Sequence, residues 1–441
     1  MQTFAFGPSL FMFKVKESFM LSFAFGPSLF MFKVKESSML SFAFGPVLLV
    51  ALVTCFSTNG FAGSPECPQS SPPENALPWI GYTQLRTNLL GGRHANVKTM
   101  RAMMVRTNGN SSRELLPEQI ENENTWTQFA GWSPDGKQAI IGLGWQDPAN
   151  ARWEEENKTF RMDEGKWRVD SLLFDPQKKG VVNVTGIDRV SNYNGGLFFL
   201  PGAKQLGFTP LIKAISRPFV MDLDGKNKKD VSGSGGGFAY GYSASPDGTR
   251  LSYHENYQIY ISHANGSNKK VIETGNPFNF GPLWSPDGKY LLFLSGKHGA
   301  SNPFVVGSDG TGLRKVVDLG GYKSSIAFLD VYDFHEGSSD LPIWSLDGQS
   351  IFHTALFGDR VELCQTTLAG KTTKLTESKA GVLHYHPQSS PDGKHLVFGS
   401  KRMGVRQVYV MDLATKKEQQ ITNLKIGEAA MWPHWQKGTP E

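Results

Sequence analysis

The residues best suited to chemistry lie in one segment, Val382-Leu-His-Tyr-His-Pro-Gln-Ser-Ser-Pro-Asp-Gly393. Here His384 and His386 stand two residues apart in a predicted strand, so alternation places both side chains on one face. Two imidazoles on one face suit a divalent transition metal when neighbouring strands supply further ligands. The structural alternative is that each histidine simply bonds a neighbouring backbone group.

A third ligand is predicted from the insertion at 330–340, which directly precedes the first strand of the adjacent repeat. His335 is the candidate, because this loop can reach the space in front of the two strand histidines. Glu336 and Asp340 can complete the ligand shell or bind the remaining N–H groups of the ligands. The spacing assigns no residue to the role of a catalytic base.

The elements that must position these residues come from a repeated turn phrase, Ser-Pro-Asp-Gly. Pro presets φ, Asp bonds its own backbone and Gly takes the positive-φ position, so each copy predicts a tight hairpin turn. A repeat of this kind indicates one supersecondary unit used many times. The copies begin at Ser133, Ser245, Ser285 and Ser390, with a Leu-containing variant at Ser345.

Four short strands per repeat, joined by hairpin signals, predict an all-β fold of the β-propeller type. We expect seven blades, with six as the competing count. A seventh blade combines strands near 79–87, 99–106 and 113–116 with a last strand at 430–435, and this pairing of the two ends would close the ring and cover two sheet edges. The other six blades are predicted to start near Trp126, Gly195, Phe238, Phe280, Pro342 and Val382.

Composition excludes several classes of function. The net charge is +5, but the Lys and Arg residues are scattered through outer turns, which favours a solvated rim over a nucleic-acid footprint. The three cysteines show no zinc-type spacing. Cys67 and Cys364 either form a bridge after export or remain two isolated thiols, and the spacing leaves both alternatives open.

Residues 1–62 are interpreted as a targeting region. The phrase Phe-Ala-Phe-Gly-Pro recurs with a period of 19 residues. A start at Met31 would give an export signal with an apolar stretch at 47–56 and a small-residue cleavage site at 60–62. We therefore expect an exported, periplasmic protein without a stable membrane span, in which a Pro-rich leader at 63–78 precedes a propeller at 79–437.

Two turn phrases, at 131–137 and 283–289, and the strand at 408–413 resemble the WD40-like repeat of the TolB family. The resemblance covers roughly 75–437 and implies a binding or scaffold module, with a protein partner or small ligand at the channel mouth. TolB proteins also carry an α/β domain, and only a short leader precedes the first strands here. A role in an envelope-spanning Tol–Pal assembly is therefore not implied.

The segment at 384–393 also resembles oligogalacturonate lyase, a seven-bladed propeller with a manganese-type site. His384 and His386 match the two histidines of its Gln-x-x-His-x-His phrase, His335 is a positional assignment, and Gly381 replaces the Gln. This resemblance implies the alternative function, metal-dependent elimination in uronate-containing oligosaccharides. No other cofactor is predicted.

Three further expectations concern the surroundings of the strands. No Gly-x-Ser-x-Gly elbow is present, which argues against a serine hydrolase of the propeller-bearing peptidase type. The insertion at 144–169 is predicted to be a solvated loop, with a lid over the channel as the alternative. A ring of inter-blade packing positions is predicted from the equivalent residues Trp132, Trp284, Trp344 and Trp432.

Overall fold

The computed structural model describes residues 76–161, 165–185, 197–212, 215–233, 237–297, 299–321 and 340–438, together with the backbone of short strands before residue 53. The chain divides into two compact units, Met1–Ser71 and Pro72–Glu441. The predicted ligand His335, its neighbour Glu336, the cleavage site at 60–62 and Cys67 lie outside the described residues. No helix in the described part of the chain is long and apolar enough to cross a membrane.

In the part of the first unit that the structure describes there are six short strands. They are β1 (Thr3–Phe4), β2 (Phe11–Lys14), β3 (Phe19–Phe25), β4 (Ser28–Val34), β5 (Met39–Phe42) and β6 (Leu49–Leu52).

Among the described residues, the second unit is built from strands, with two short α-helices and one 3-10 turn, so the predicted all-β class is confirmed. Its first part holds β7 (Trp79–Arg86), α1 (Gly92–Val97), β8 (Arg101–Arg106), β9 (Arg113–Glu114), the 3-10 turn Pro117–Gln119, β10 (Thr125–Trp132), β11 (Ala139–Gln146), α2 (Pro148–Asn157), β12 (Trp167–Asp175) and β13 (Gly180–Asn183). Its middle part holds β14 (Phe198–Phe199), β15 (Gln205–Phe208), β16 (Leu211–Ile212), β17 (Ile215–Ser216), β18 (Phe219–Asp222), β19 (Lys229–Asp230), β20 (Ala239–Ala244), β21 (Arg250–Glu255), β22 (Gln258–His263) and β23 (Lys270–Ile272). Its last part holds β24 (Phe278–Trp284), β25 (Tyr290–Lys297), β26 (Ala300–Gly307), β27 (Arg314–Lys315), β28 (Ile343–Trp344), β29 (Ser350–Phe357), β30 (Arg360–Thr367), β31 (Thr372–Lys374), β32 (Leu383–Ser389), β33 (His395–Arg402), β34 (Val405–Asp412), β35 (Glu418–Gln420) and β36 (Glu428–Trp435).

Most of these strands form antiparallel four-stranded groups, as the repeats predict, while β16 and β17 pair only with each other. Separate sheets are β10 to β13, β14-β15-β18-β19, β20 to β23 and β24 to β27. A twelve-stranded sheet contains three further groups, which are joined only by single parallel residue pairs, Val361 with Leu383 and Arg406 with Ala429. In the last group β36 pairs with β7, from Glu428 opposite Arg86 to Trp435 opposite Ile80. The predicted pairing of the tail with the opening strands is therefore present.

The repeated turns have the chemistry that their sequence predicts. At Ser285 the hydroxyl donates to Asp287 over 2.7 Å and accepts the backbone N–H of Tyr290 at 2.9 Å. The N–H of Gly288 donates to the Ser285 carbonyl, and this glycine has a φ of +69°. Each copy and the Leu-containing variant repeat the Ser-to-Asp bond at 2.5–2.7 Å.

Neighbouring groups pack through tryptophan rings. The indole N–H of each of these rings donates to a carbonyl in the first strand of the preceding group. Trp132 donates to the carbonyl of His434, Trp344 to that of Leu283 and Trp435 to that of Gln388, at 3.1–3.3 Å. The packing role predicted for Trp132 and Trp344 is thus seen. Trp284 packs in a core cluster with Ile259 and Ile261 of the preceding group, and the equivalent residue in β36 is Trp435. Trp432, which the sequence spacing assigned to this ring of positions, occupies a different place, described below.

The insertion between β11 and β12 is a helix rather than only a solvated loop. Pro148 stands at its first turn, and the carboxylate of Asp147 caps the backbone N–H of Asn150 at 2.8 Å. Glu154 is buried in this helix and accepts hydrogen bonds from the side chains of Gln146 and Asn150 at 2.8 and 3.1 Å. These polar bonds anchor the helix to the end of β11.

Candidate functional site on the first strands

A β-bulge interrupts the first strand of several groups at an equivalent position, four residues before the Ser of the turn. The register shifts between Tyr240 and Ser243, between Phe280 and Leu283, and between Tyr385 and Gln388. In β36 it shifts between Met431 and His434. A bulge breaks the in-and-out alternation of a strand and turns the side chains that it contains toward a new direction.

The residue that opens each of these four bulges has a positive φ. Gly241 and Gly281 have φ values of +63° and +62°, which cost a glycine little. His386 and Trp432 occupy the same position at +50°. A bulky side chain in the left-handed region costs on the order of 1–2 kcal/mol, and the following prolines narrow the backbone choices of both residues further.

These positions bring consecutive first strands into contact. A Cβ atom added at Gly241 would lie 2.9 Å from the Cα of Gly281, and one added at Gly281 would meet the Leu341 side chain at 2.8 Å. In β32 and β36, the rings of His386 and Trp432 lie 5.8 Å apart with an interplanar angle of 31°. An imidazole and an indole thus occupy the place that glycines occupy elsewhere. We refer to His386 and Trp432 as the bulge pair.

A buried carboxylate fixes the bulge at His386. Asp340 accepts the backbone N–H of His386 at 2.8 Å and the hydroxyl of Thr354 at 2.5 Å. Asp340 is 4% exposed. Asp340 thus lies beside the histidine segment and binds the backbone of His386. Its part in a metal ligand shell stays a prediction.

His384 belongs to a second polar cluster on the side of the preceding group. Its Nε2 lies 2.8 Å from Oγ of Ser378 and 3.6 Å from Oε2 of Glu362. Glu362 also accepts the Thr376 hydroxyl at 2.6 Å and the Ser378 hydroxyl at 3.0 Å. His384 and Glu362 are both completely buried.

Protonation in this cluster follows from burial and hydrogen bonding. Burial lowers the pKa of His384 to about 3, Arg402 acts in the same direction and Glu362 opposes it. Burial opposes the ionisation of Glu362, but bonds from Thr376 and Ser378 outweigh it and lower the pKa of this carboxyl. At neutral pH the cluster therefore holds a neutral imidazole beside a carboxylate.

The hydrogen-bond directions then determine the tautomer of His384. The Ser378 hydroxyl donates to the Glu362 carboxylate, so Nε2–H of His384 must donate to the Ser378 oxygen. Nδ1 is left as a bare acceptor, and it has no hydrogen-bond partner among the described residues. Because Glu362 approaches the same ring nitrogen as Ser378, this geometry differs from a serine triad, in which the acid holds the far nitrogen.

The two histidines predicted to share a metal have different neighbours in the structure. His384 contacts Ser378, Glu362 and the Phe398 ring, whereas His386 contacts the rings of Tyr385 and Trp432. Among the described residues no group of three or more His, Cys, Asp or Glu side chains could hold a metal ion. Of Cys67 and Cys364, whose pairing the sequence left open, only Cys364 lies among the described residues. Cys364 is free and buried, and burial raises the pKa of its thiol to about 12.

Sequence reasoning missed Glu362, Ser378 and the special place of Trp432. Glu362 is a charged residue within the otherwise apolar stretch Val361-Glu-Leu-Cys364 of β30, which is a recognisable signal of a buried polar site. Trp432 is followed by Pro433, as Gly281 is by Pro282 and His386 by Pro387. Aligning these residue–Pro pairs would have placed Trp432 at the bulge.

No protein-family profile matches the chain. A curated relative, the uncharacterized peptidase YuxL of Bacillus subtilis, is 28% identical over 203 residues, which is 35% of this chain. The chain spans only 28% of the length of that relative.

Among solved structures, an oligogalacturonate lyase in complex with manganese matches with a TM-score of 0.50 and 14% identity, over 74% of this chain and 84% of that one. A puromycin-hydrolyzing peptidase of Mycobacterium tuberculosis has a TM-score of 0.50 and 12% identity, over 79% and 54% of the two chains. TolB from Acinetobacter baumannii has a TM-score of 0.46 and 14% identity, over 83% and 68%. The similar structures thus include TolB and oligogalacturonate lyase, both propeller folds. At these identities the two matches with a TM-score of 0.50 show a likeness of fold alone.

Proposed function

We propose that the chain is an exported, periplasmic binding module: a closed propeller of seven blades, at 79–437, behind a targeting region at 1–62 and a leader at 63–78. The blades are the four-stranded groups, and the pairing of β36 with β7 is the closing contact. The partner is a protein or a small ligand held at the channel formed by the first strands.

The observation that carries this proposal is the bulge pair. The backbone requires a positive φ at this position, and glycine satisfies the requirement in β20 and β24. Keeping His386 and Trp432 there costs stability, and strain of this kind concentrates at binding and catalytic sites. Trp432 is partly buried, so part of the residue remains accessible to a ligand.

Photo-cross-linking in the source cells tests the binding role. A benzoyl-phenylalanine replaces Trp432 in one variant and, in a control, the exposed Leu346 in the turn that follows β28. We expect a defined adduct from position 432 and not from position 346. Absence of an adduct at 432, or the same adducts from both positions, would contradict the proposal.

A second candidate function, metal-dependent elimination in uronate-containing oligosaccharides, is favoured by one observation. His384 has a bare, buried Nδ1, while its other nitrogen donates to Ser378 beside the Glu362 carboxylate. Metal-binding histidines are held by their second nitrogen in this way. In this candidate, His384 with His386 and His335 would hold a manganese-type ion, which supplies polarisation of a substrate carboxylate.

Elemental analysis and an absorbance assay for unsaturated uronate products separate the two functions. If the protein is a lyase, the wild type should hold stoichiometric metal and the His384→Ala variant should lose it. The control variant His395→Ala, on the neighbouring strand, should keep its metal. Protein that holds no metal after manganese incubation, and that leaves trigalacturonate intact, would rule out the lyase. That result would not affect the binding module.

A further inference from the structure

Three large apolar side chains are almost completely exposed on neighbouring loops of the last two groups. Leu90 and Met403 are each 97% exposed, and Ile426 is 78% exposed. Leu90 lies between β7 and β8, Met403 between β33 and β34, and Ile426 between β35 and β36. We refer to these three residues as the apolar loop patch.

Strand directions place the three loops at one end of the sheet. β34 and β36 are parallel neighbours, paired at Arg406 and Ala429, so the loops that precede them emerge at the same end. β7 is antiparallel to β36, and Arg86 lies opposite Glu428. The residues that follow Arg86 therefore emerge beside those that precede Glu428.

Direct contacts confirm that two of these loops are adjacent. The backbone N–H of Thr87 donates to the carbonyl of Gly427 at 2.9 Å. A Cβ atom at Gly427 would lie 2.3 Å from the amide of Asn88. Isolated apolar residues on a surface need no explanation, but several on adjoining loops indicate an interaction site.

The charge of the same loops indicates what kind of partner fits. Within 86–93, 401–405 and 421–428 there are five cationic side chains and one carboxylate, Glu428. The carboxylate of Glu155, from the helix α2, also reaches the first of these loops, where it accepts the backbone N–H of Arg93. Of the five, Arg402 is bonded to Glu418 outside these loops, and the Glu428 carboxylate accepts the N–H of Lys425 at 2.9 Å. The cations are Arg86, Arg93, Lys401, Arg402 and Lys425.

We propose that the apolar loop patch docks a segment of a protein partner that carries apolar side chains among Asp and Glu residues. Leu90, Met403 and Ile426 supply the apolar contact, and the surrounding cations select acidic flanks and speed association. This surface goes beyond the proposed function, because it uses neither residue of the bulge pair. A negative result for the apolar loop patch would not affect the proposal that the bulge pair is a binding site.

Fluorescence anisotropy with a labelled peptide of repeated Glu-Glu-Leu-Leu blocks tests the proposal. We expect binding that weakens with salt, and that weakens about tenfold or more in the triple variant Leu90→Ser, Met403→Ser, Ile426→Ser. Lys425→Glu should also weaken binding, since it places a carboxylate among the cations. These side chains are exposed, so the variants should keep the melting temperature of the wild type.

Matched controls make each outcome decisive. Leu346→Ser, an exposed leucine at the opposite end of the strands, should leave the affinity unchanged. Peptides with Ser in place of Leu, or Lys in place of Glu, should bind much more weakly. The proposal is overturned by no binding, by equal losses in the triple variant and Leu346→Ser, or by binding only to phosphatidylglycerol vesicles, which would indicate a lipid surface instead.

Discussion

The bulges of β20 and β24 and those of β32 and β36 have the same backbone conformation and opposite side-chain chemistry. Gly241 and Gly281 fill the first pair, where the backbone of Gly281 and the side chain of Leu341 leave little room for a further side chain. His386 and Trp432 fill the second pair and place two rings against each other. The fold thus requires a positive φ at this position but does not require an aromatic ring there. The two rings are therefore candidates for a functional role.

Gly241→Ala should give the largest change. The new Cβ would lie 2.9 Å from the Cα of Gly281, and the residue would keep a positive φ. The left-handed backbone and the overpacking together should lower the free energy of unfolding by about 3 kcal/mol. Gly404→Ala is the control, because it has a φ of +81° with no atom within 4 Å and should cost only about 1 kcal/mol. Equal losses in chemical denaturation would show that close strand contact does not matter.

Acid should destabilise the protein through histidines that are buried and neutral. Burial lowers the pKa of His353 to about 4, against about 6.5 in the unfolded chain. Between these values only the unfolded chain takes up the proton, so stability is complete above pH 6.5 and falls as the pH drops toward 4. The loss from His353 should reach about 3 kcal/mol.

The His353→Gln variant sharpens this test. It should be less stable at pH 7, since it perturbs bonds to Thr366 and Thr354, but it should lose less stability between pH 6.5 and 4. Urea unfolding at several pH values measures both effects. An unchanged pH slope in the variant would contradict the expectation that His353 is buried and neutral in the folded protein.

The tryptophan positions allow a smaller comparison. Trp344 donates to the Leu283 carbonyl, whereas the buried Nε1 of Trp284 has no hydrogen-bond partner among the described residues. Both substitutions remove a similar ring area. Trp344→Phe should therefore lower the free energy of unfolding by about 1 kcal/mol more than Trp284→Phe, because only Trp344 loses a hydrogen bond. Equal costs by chemical denaturation would mean that the N–H bond between groups contributes nothing.

Leu346→Pro should give the smallest change, and it should be stabilising. It restores the Ser-Pro-Asp-Gly phrase at an exposed turn that already has the hydrogen bonds of the other copies. Restricting the unfolded chain should raise the free energy of unfolding by about 0.5 kcal/mol. A drop in the melting temperature would show that the variant turn differs from its relatives.

The turns were predictable from sequence because Ser, Asp and Gly interact within a few residues of each other. The neighbours of His384 were not, since Glu362 comes from another group of strands and reaches the histidine only after the groups pack. Simple alternation placed His384 and His386 on one face, but the bulge that begins at His386 interrupts that alternation. A bulge depends on strand register, which a single strand sequence does not determine.

The double variant His386→Gly, Trp432→Gly tests the central claim most directly, by chemical unfolding at pH 7. If the rings are held for binding, relief of two left-handed side chains should offset the lost ring contacts. The free energy of unfolding should then stay within about 1 kcal/mol of the wild type. A loss of about 4 kcal/mol or more, as expected for large core truncations, would show that the two rings hold the fold together and would contradict their assignment as a site.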